Sequence, residues 1–424
     1  MTTMIIALVI FIVLYLIISF ELINKTVVAL FGAALFMVLR IIGEEEAFRV
    51  IDWNVIFLLV SMMIIVGITK NTGLFQYVAI KAAKIAKGEP IIILIFLIII
   101  TALFSAFLDN VTTVLIIIPV TMLIAIELGI SPVPFVISIA IASNIGGTAT
   151  LIGDPPNIMI GSAAKLDFMQ FLVNLGPPVL ISLVAFNIII YFIFRKKLKV
   201  STERRARILE FDESKAITDK KLLIKCLAVL TLVIAGFLLH GLLHLEASII
   251  AMFGATILML LTGVKEIEEV LKDIEWGTIF FFIGLFILVG GLVETGAIKV
   301  AAEYIMGLTN GNIANTSVLI IWVSGIFSAF VDNIPYVATM IPLVQDMGES
   351  LGSQAIVPVW WSLALGACLG GNGTLVGASA NVVSAGLAGK SGYKITFMQF
   401  TKYGFGFMIL TLIISTLYVL LVIL

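Results

Sequence analysis

A short motif with an acid at its centre occurs twice in this chain, each time inside a long apolar run. Ser105-Ala106-Phe107-Leu108-Asp109-Asn110 returns 223 positions later as Ser328-Ala329-Phe330-Val331-Asp332-Asn333. At the same offset Ile51-Asp52-Trp53 becomes Ile274-Glu275-Trp276, Thr72-Gly73 becomes Thr295-Gly296, and Pro119 becomes Pro342. One position out of phase, Gly146-Gly147-Thr148-Ala149-Thr150-Leu151-Ile152-Gly153 matches Gly370-Gly371-Asn372-Gly373-Thr374-Leu375-Val376-Gly377, and Asn157 matches Asn381. Phe168-Met169-Gln170-Phe171 then reappears as Phe397-Met398-Gln399-Phe400. Chance similarity between apolar segments would match leucines and isoleucines. The matched residues here are mostly Asp, Asn, Gly, Pro, Trp and Gln in one order, which marks an internal duplication.

What is duplicated is a membrane unit. Of the 424 residues 61% are apolar and only 12% charged, about half the charged share of a soluble domain. That excludes an ordinary soluble enzyme. The net charge of −1 argues against nucleic acid as a partner. Cys226 and Cys368 lie in apolar stretches and imply no disulfide framework. The first apolar run lacks a basic leader and a clear cleavage site, so it reads as a retained span. A bilayer-crossing helix takes about 20 apolar residues. Apolar runs lie near 4–20, 26–42, 53–69, 90–127, 133–161 and 172–194, and again near 221–240, 246–263, 277–293, 312–346, 356–388 and 400–424. The expected fold is an all-α polytopic membrane protein of two repeats, 1–194 and 221–424, joined by a basic linker at 195–220.

Arg195 to Lys225 carries 11 of the 25 basic residues against five acidic ones. The positive-inside rule places this segment (basic loop 195–221) in the cytoplasm. Lys81, Lys84 and Lys87, and Lys390, Lys394 and Lys402, belong on the same side. Five complete crossings then precede the loop and five follow it, provided that 90–127 and 312–346 are re-entrant hairpins. Both termini fall outside. An odd number of crossings per copy makes the repeats inverted, the architecture of secondary transporters with a site near the midplane.

The polar residues inside the apolar runs are the candidate site. A carboxylate in hydrocarbon costs several kcal/mol, yet Asp109 and Asp332 stand at the hairpin tips. Each fits as the N-cap of the descending helix. Each also fits as a ligand for a cation or a proton, with Asn110, Asn333 and Thr112, making Na+ at Asp109, Asn110, Asp332 and Asn333 the metal candidate. The glycine pairs read as breaks in helices 133–161 and 356–388. Freed carbonyls would suit a cation there, and the following helix start an anion; close helix packing through small residues is the alternative. Asn144, Thr148, Thr150, Asn372 and Thr374 are the polar ligands at these breaks. Asp154, before Pro155-Pro156, has Ala378 opposite it and is either a gating or coupling residue or a surface turn former. Asn157 and Asn381 accompany it. His240 and His244 read as a structural pair at a span boundary, and Trp360-Trp361 as an interfacial anchor. No phosphate-binding Gly-x-x-x-x-Gly-Lys-Ser/Thr occurs.

The blocks Ser105 to Thr113 and Ser143 to Asn157 resemble the signatures of the ion transporter superfamily. That group holds arsenical-pump membrane proteins, sodium/proton antiporters, citrate and dicarboxylate carriers, and the P-protein permeases; the P-protein and arsenical-pump branch is the nearest in motif. The resemblance implies two hairpins and two broken helices forming a moving transport domain on a dimeric scaffold, working by an elevator motion. Dicarboxylate carriers have Ser-Asn-Thr at both tips, where this chain has Asp109-Asn110-Val111 and Asp332-Asn333-Ile334.

The expected function is therefore ion-coupled secondary transport of a small anion, of arsenite, oxyanion or carboxylate type, with Na+ or H+ as the coupling ion. The alternative is a Na+/H+ antiporter. The chain would be no enzyme, hold no cofactor beyond its coupling ion, and sit in the plasma (inner) membrane. Its partners would be the bilayer, the ionic substrate and a second copy of itself; a soluble ATPase partner is not inferable.

Overall fold

The computed structural model describes residues 2–19, 22–263 and 267–424; the last residue of the apolar run 4–20 lies outside them. Among the described residues no strand occurs, and nine helices are long and apolar enough to cross a membrane. In lipid every backbone polar group must be satisfied within its own segment, which favours helix throughout.

The first ten helices are α1 (Thr2–Ser19), α2 (Lys25–Val38), α3 (Glu44–Arg49), α4 (Trp53–Lys70), α5 (Leu74–Ile85), α6 (Pro90–Phe107), α7 (Asn110–Glu127), α8 (Val133–Gly147), α9 (Pro155–Ala164) and α10 (Phe168–Phe194). The linker holds α11 (Thr202–Leu209). The sequence of elements then recurs as α12 (Lys220–Leu243), α13 (Ala247–Thr262), α14 (Ile267–Leu271), α15 (Trp276–Glu294), α16 (Ala297–Thr309), α17 (Ile313–Phe330), α18 (Asn333–Leu351), α19 (Val357–Gly370), α20 (Ser379–Lys390) and α21 (Phe397–Tyr418).

The breaks follow local chemistry. Asp109 caps α7 through the Thr112 N–H at 2.8 Å, and Asp332 caps α18 through the Ile334 N–H at 3.2 Å. Asp167 and Gln170 form a capping box at the start of α10. Proline opens α9, where its missing N–H is no loss. The two runs expected as broken helices are α8 with α9 and α19 with α20, each pair parted by seven to eight non-helical residues.

The halves interlock. α2 packs on α15 and α4 on α13; α7 packs on α20 and α18 on α9. The second arm of each hairpin therefore lies against the second half of the other repeat's broken helix. Within a repeat, α6 meets α8 and α17 meets α19 at backbone distance: a Cβ on Gly146 would strike the Ala102 carbonyl, and one on Gly370 the Gly325 backbone. Small residues permit that approach. α8 and α19 are enclosed along nearly their whole length, whereas α1 turns Ile5, Val9, Ile12 and Leu16 outward.

This enclosure corrects one expectation. Trp360 and Trp361 are 4% and 2% exposed, and Trp361 meets Phe171 edge-on. They are core residues of α19, not an interfacial anchor.

The basic linker is tied down at the base of the first hairpin. Arg204 donates to the carbonyls of Leu128 and Gly129 at 3.1 and 2.9 Å, Arg205 pairs with Glu89, and Lys84 pairs with Glu213. Thr218 N–H donates to the Thr72 carbonyl at 3.1 Å. His240 joins α10 to α12, accepting from the Phe168 N–H at 2.8 Å and contacting the Leu245 carbonyl at 3.1 Å through its other ring nitrogen. With both ring nitrogens used on backbone, it is structural.

Candidate functional site

Each break is filled by its own asparagine. Unwinding the chain after α8 and α19 leaves carbonyls without helical partners, and a buried carbonyl needs one. Asn157 Nδ2 donates to the Thr148 and Thr150 carbonyls at 3.1 and 2.8 Å. Asn381 does the same for Gly371 and Thr374 at 2.8 and 3.0 Å. The carbonyls expected to be free for a cation are thus occupied. The threonines at the breaks are also engaged. Thr148 donates to Asn144 O at 2.7 Å, Thr150 to the Ala106 carbonyl and Thr374 to the Ala329 carbonyl. The last two bonds pin each hairpin tip to its break.

Above the breaks the two repeats meet through amides and one acid. Asn144 Nδ2 donates to Asn372 Oδ1 and Asn381 Oδ1, both at 3.0 Å, while its Oδ1 accepts from Asn110 at 3.2 Å. Asn333, from the second tip, donates to the Asp154 carboxylate at 3.3 and 3.4 Å. Asp154 is wholly buried, so the surface-turn reading of this residue does not hold. Asn372 Nδ2 is buried and has no partner among the described residues. Cys368 holds in α19 the place that Asn144 holds in α8, and contacts Asn157 Oδ1 at 3.5 Å.

A cavity of about 460 Å³ opens beside this network. Asp109, Asn110, Asp154 and Asn333 line it, together with Lys25, Glu275, Thr278 and Ser379. Thr112, Thr148, Thr150, Asn372 and Thr374 are not in its wall. Six helices, α2, α7, α9, α15, α18 and α20, begin at or within one residue of a lining residue. Each helix start carries roughly half a positive charge, and this offsets the acids gathered there. The starts differ. α7 and α18 are capped by aspartates. α9 opens on two prolines, which offer no N–H. α15 and α20 have no side-chain cap.

Lys25 and Glu275 were not singled out by sequence. Lys25 Nζ lies 2.8 Å from Asp332 Oδ2 and 2.9 Å from Ser379 Oγ; Glu275 accepts from Thr278 at 3.0 Å. Glu275 belongs to a repeated tripeptide, so a signal for it existed. A lysine at the edge of an apolar run carries none.

The cavity has a counterpart. Its wall includes Met63 of α4, Leu115 of α7 and Val383 of α20. Their repeat equivalents Phe286, Ala338 and Met159 line a separate crevice of about 300 Å³ between α15, α18 and α9. No hairpin-tip residue lines that crevice.

A family model described as "Citrate transporter" matches residues 14–366. An uncharacterized transporter of Mycobacterium tuberculosis is 47% identical over 405 residues, 94% of each chain. The 46 kDa membrane protein of Mycobacterium leprae is 45% identical over 419 residues, covering 98% of this chain and 97% of that one. The P protein of Mus musculus is 33% identical over 488 aligned positions, which take in 96% of this chain and 59% of the longer protein.

Proposed function

The chain belongs to the citrate transporter family of the ion transporter superfamily and is a membrane transporter, and we propose that it moves a small anion together with Na+ or H+. One observation carries this reading: a single cavity holds both cation ligands and an open helix start. Asp109 and Asp154 are carboxylates without a cationic partner among the described residues, and Asn110 and Asn333 stand beside them. A monovalent cation or proton satisfies such a group in low dielectric. The same cavity is lined by Ser379, the first residue of α20, whose start has no side-chain cap, the arrangement that receives an anionic substrate in transporters with discontinuous helices. The family description supports a carboxylate as the anion.

The second reading, Na+/H+ exchange without an anion, is favoured by the acid excess of the wall, where Asp109, Asp154 and Glu275 face one lysine. Uptake in proteoliposomes separates the two. Citrate, arsenite and a phosphate-like anion are offered under an imposed Na+ or H+ gradient while internal pH is followed. Gradient-driven anion uptake supports the lead reading; sodium-driven proton exchange with no anion uptake replaces it with the second.

Alternating access fits the paired crevices: the gap between α4, α7 and α20 reaches the acids, and its repeat equivalent stops short of them. In this proposal the repeats are inverted, the hairpins and broken helices move as a unit against a dimeric scaffold in an elevator motion, and the linker faces the cytoplasm at the inner membrane.

A further inference from the structure

The duplication gives two tip aspartates, and the structure treats them differently. Asp332 faces Lys25 Nζ at 2.8 Å, Ser379 Oγ at 2.8 Å and the Ile334 N–H at 3.2 Å. Asp109 accepts from the Thr112 N–H and has no ion-pair partner among the described residues. The repeat offset puts Ser248 where Lys25 stands, and Ser248 is turned away to Asn54 at 3.0 Å. The lysine is thus peculiar to one half.

Its ammonium sits as a bound monovalent cation would. One carboxylate oxygen and one hydroxyl oxygen lie within 2.9 Å, and the Phe281 ring lies under it at 5.1 Å from the centroid, a favourable cation–π distance. The pair is largely withdrawn from solvent, with side chains 30% and 14% exposed. Removing one member of such a pair leaves an uncompensated charge, so the site has to be filled.

We propose that Lys25 is a tethered cation that permanently fills the coupling-ion position at the second hairpin tip, leaving only the Asp109 and Asp154 side to take Na+ or H+ from solution. The inference rests on the cation-coupled reading above. Its consequence is a coupling ratio lower by one cation than two equivalent tips would give. Lys25 is then a residue that sets stoichiometry, and not a substrate ligand.

Reversal potentials in proteoliposomes report the ratio of cations to anion. K25M, which keeps the length and loses the charge, is expected to raise that ratio by one and to steepen the dependence of rate on the coupling ion. K25M/D332N, with neither charge, is expected to keep the wild-type ratio at a lower rate. An unchanged ratio in a transporting K25M overturns the proposal, and so does a ratio below wild type in K25M/D332N, which would mean that Asp332 carries an ion in the native protein. If K25M fails to fold, the double variant decides alone. Absence of any cation coupling in the wild type would instead overturn the functional reading itself.

Discussion

At the residue scale the broken helices are held by two asparagines that do the work of missing helical bonds. Losing Asn381 leaves the Gly371 and Thr374 carbonyls and the Asn144 amide short of partners. Each such buried loss costs about 1–3 kcal/mol. Asn381→Ala is therefore expected to lower unfolding stability in detergent by at least about 2 kcal/mol, while Asn174→Ala, whose amide only reaches back to its own helix at the surface, leaves it nearly unchanged. Asp154 predicts a functional loss instead. Asp154→Asn keeps the shape and removes the charge, so coupled transport is expected to fall about tenfold, a change of about 1.4 kcal/mol, with the dependence on ion concentration altered. The positions of Asp109, Asp332, Asp154 and the glycine pairs were legible in the sequence because polar residues in apolar runs are costly and stand out. The occupied carbonyls were not, since which side chain turns back onto a break depends on the path of the chain after it.

At the element scale the closest contacts are backbone to backbone. Gly370 touches the Gly325 backbone, whereas Gly386 in α20 has open space around it. Gly370→Ala is expected to cost about 1–3 kcal/mol through overpacking and Gly386→Ala nothing, a difference that melting in detergent measures. The linker titrates. Lys84 holds the Glu213 carboxyl below the ordinary glutamate range, and Ser214 holds Asp212 down likewise. The docked form therefore prefers both groups ionised. Its advantage is complete above the ordinary carboxylate values and fades as pH falls below about 4.5. Protection of the amides of residues 201–218 against hydrogen exchange, taken relative to the intrinsic exchange rate at each pH, is expected to be greater at neutral pH than at about pH 4. The linker's charge was readable; its clasp on Gly129 and Glu89 was not, because long-range pairing leaves no local pattern. The same limit explains Trp360 and Trp361, which look interfacial until α19 is seen to be surrounded.

At the scale of the whole molecule the duplication does what neither half does alone. Tip 1 meets break 2 through Asn110, Asn144 and Asn381, and tip 2 meets break 1 through Asn333 and Asp154. Two similar units have diverged where they meet: Asp154 answers Ala378, Asn144 answers Cys368, and Lys25 answers Ser248. The repeat, the helix order and the membrane character could be read from sequence because they rest on spacing and composition. The asymmetry that pairs Asp332 with Lys25 and leaves Asp109 and Asp154 without a cation among the described residues could be read only in part, since Lys25 enters from a distant helix.

The most direct test of ion-coupled anion transport is uptake of radiolabelled citrate, arsenite and phosphate into proteoliposomes with an imposed inward Na+ or H+ gradient, comparing the native chain with a double Asp109→Asn, Asp154→Asn variant. Accumulation above equilibrium that collapses when the gradient is dissipated, and that the double variant lacks, is the predicted result. Native protein that accumulates no anion under either gradient, or a double variant that accumulates it unimpaired, would contradict the account.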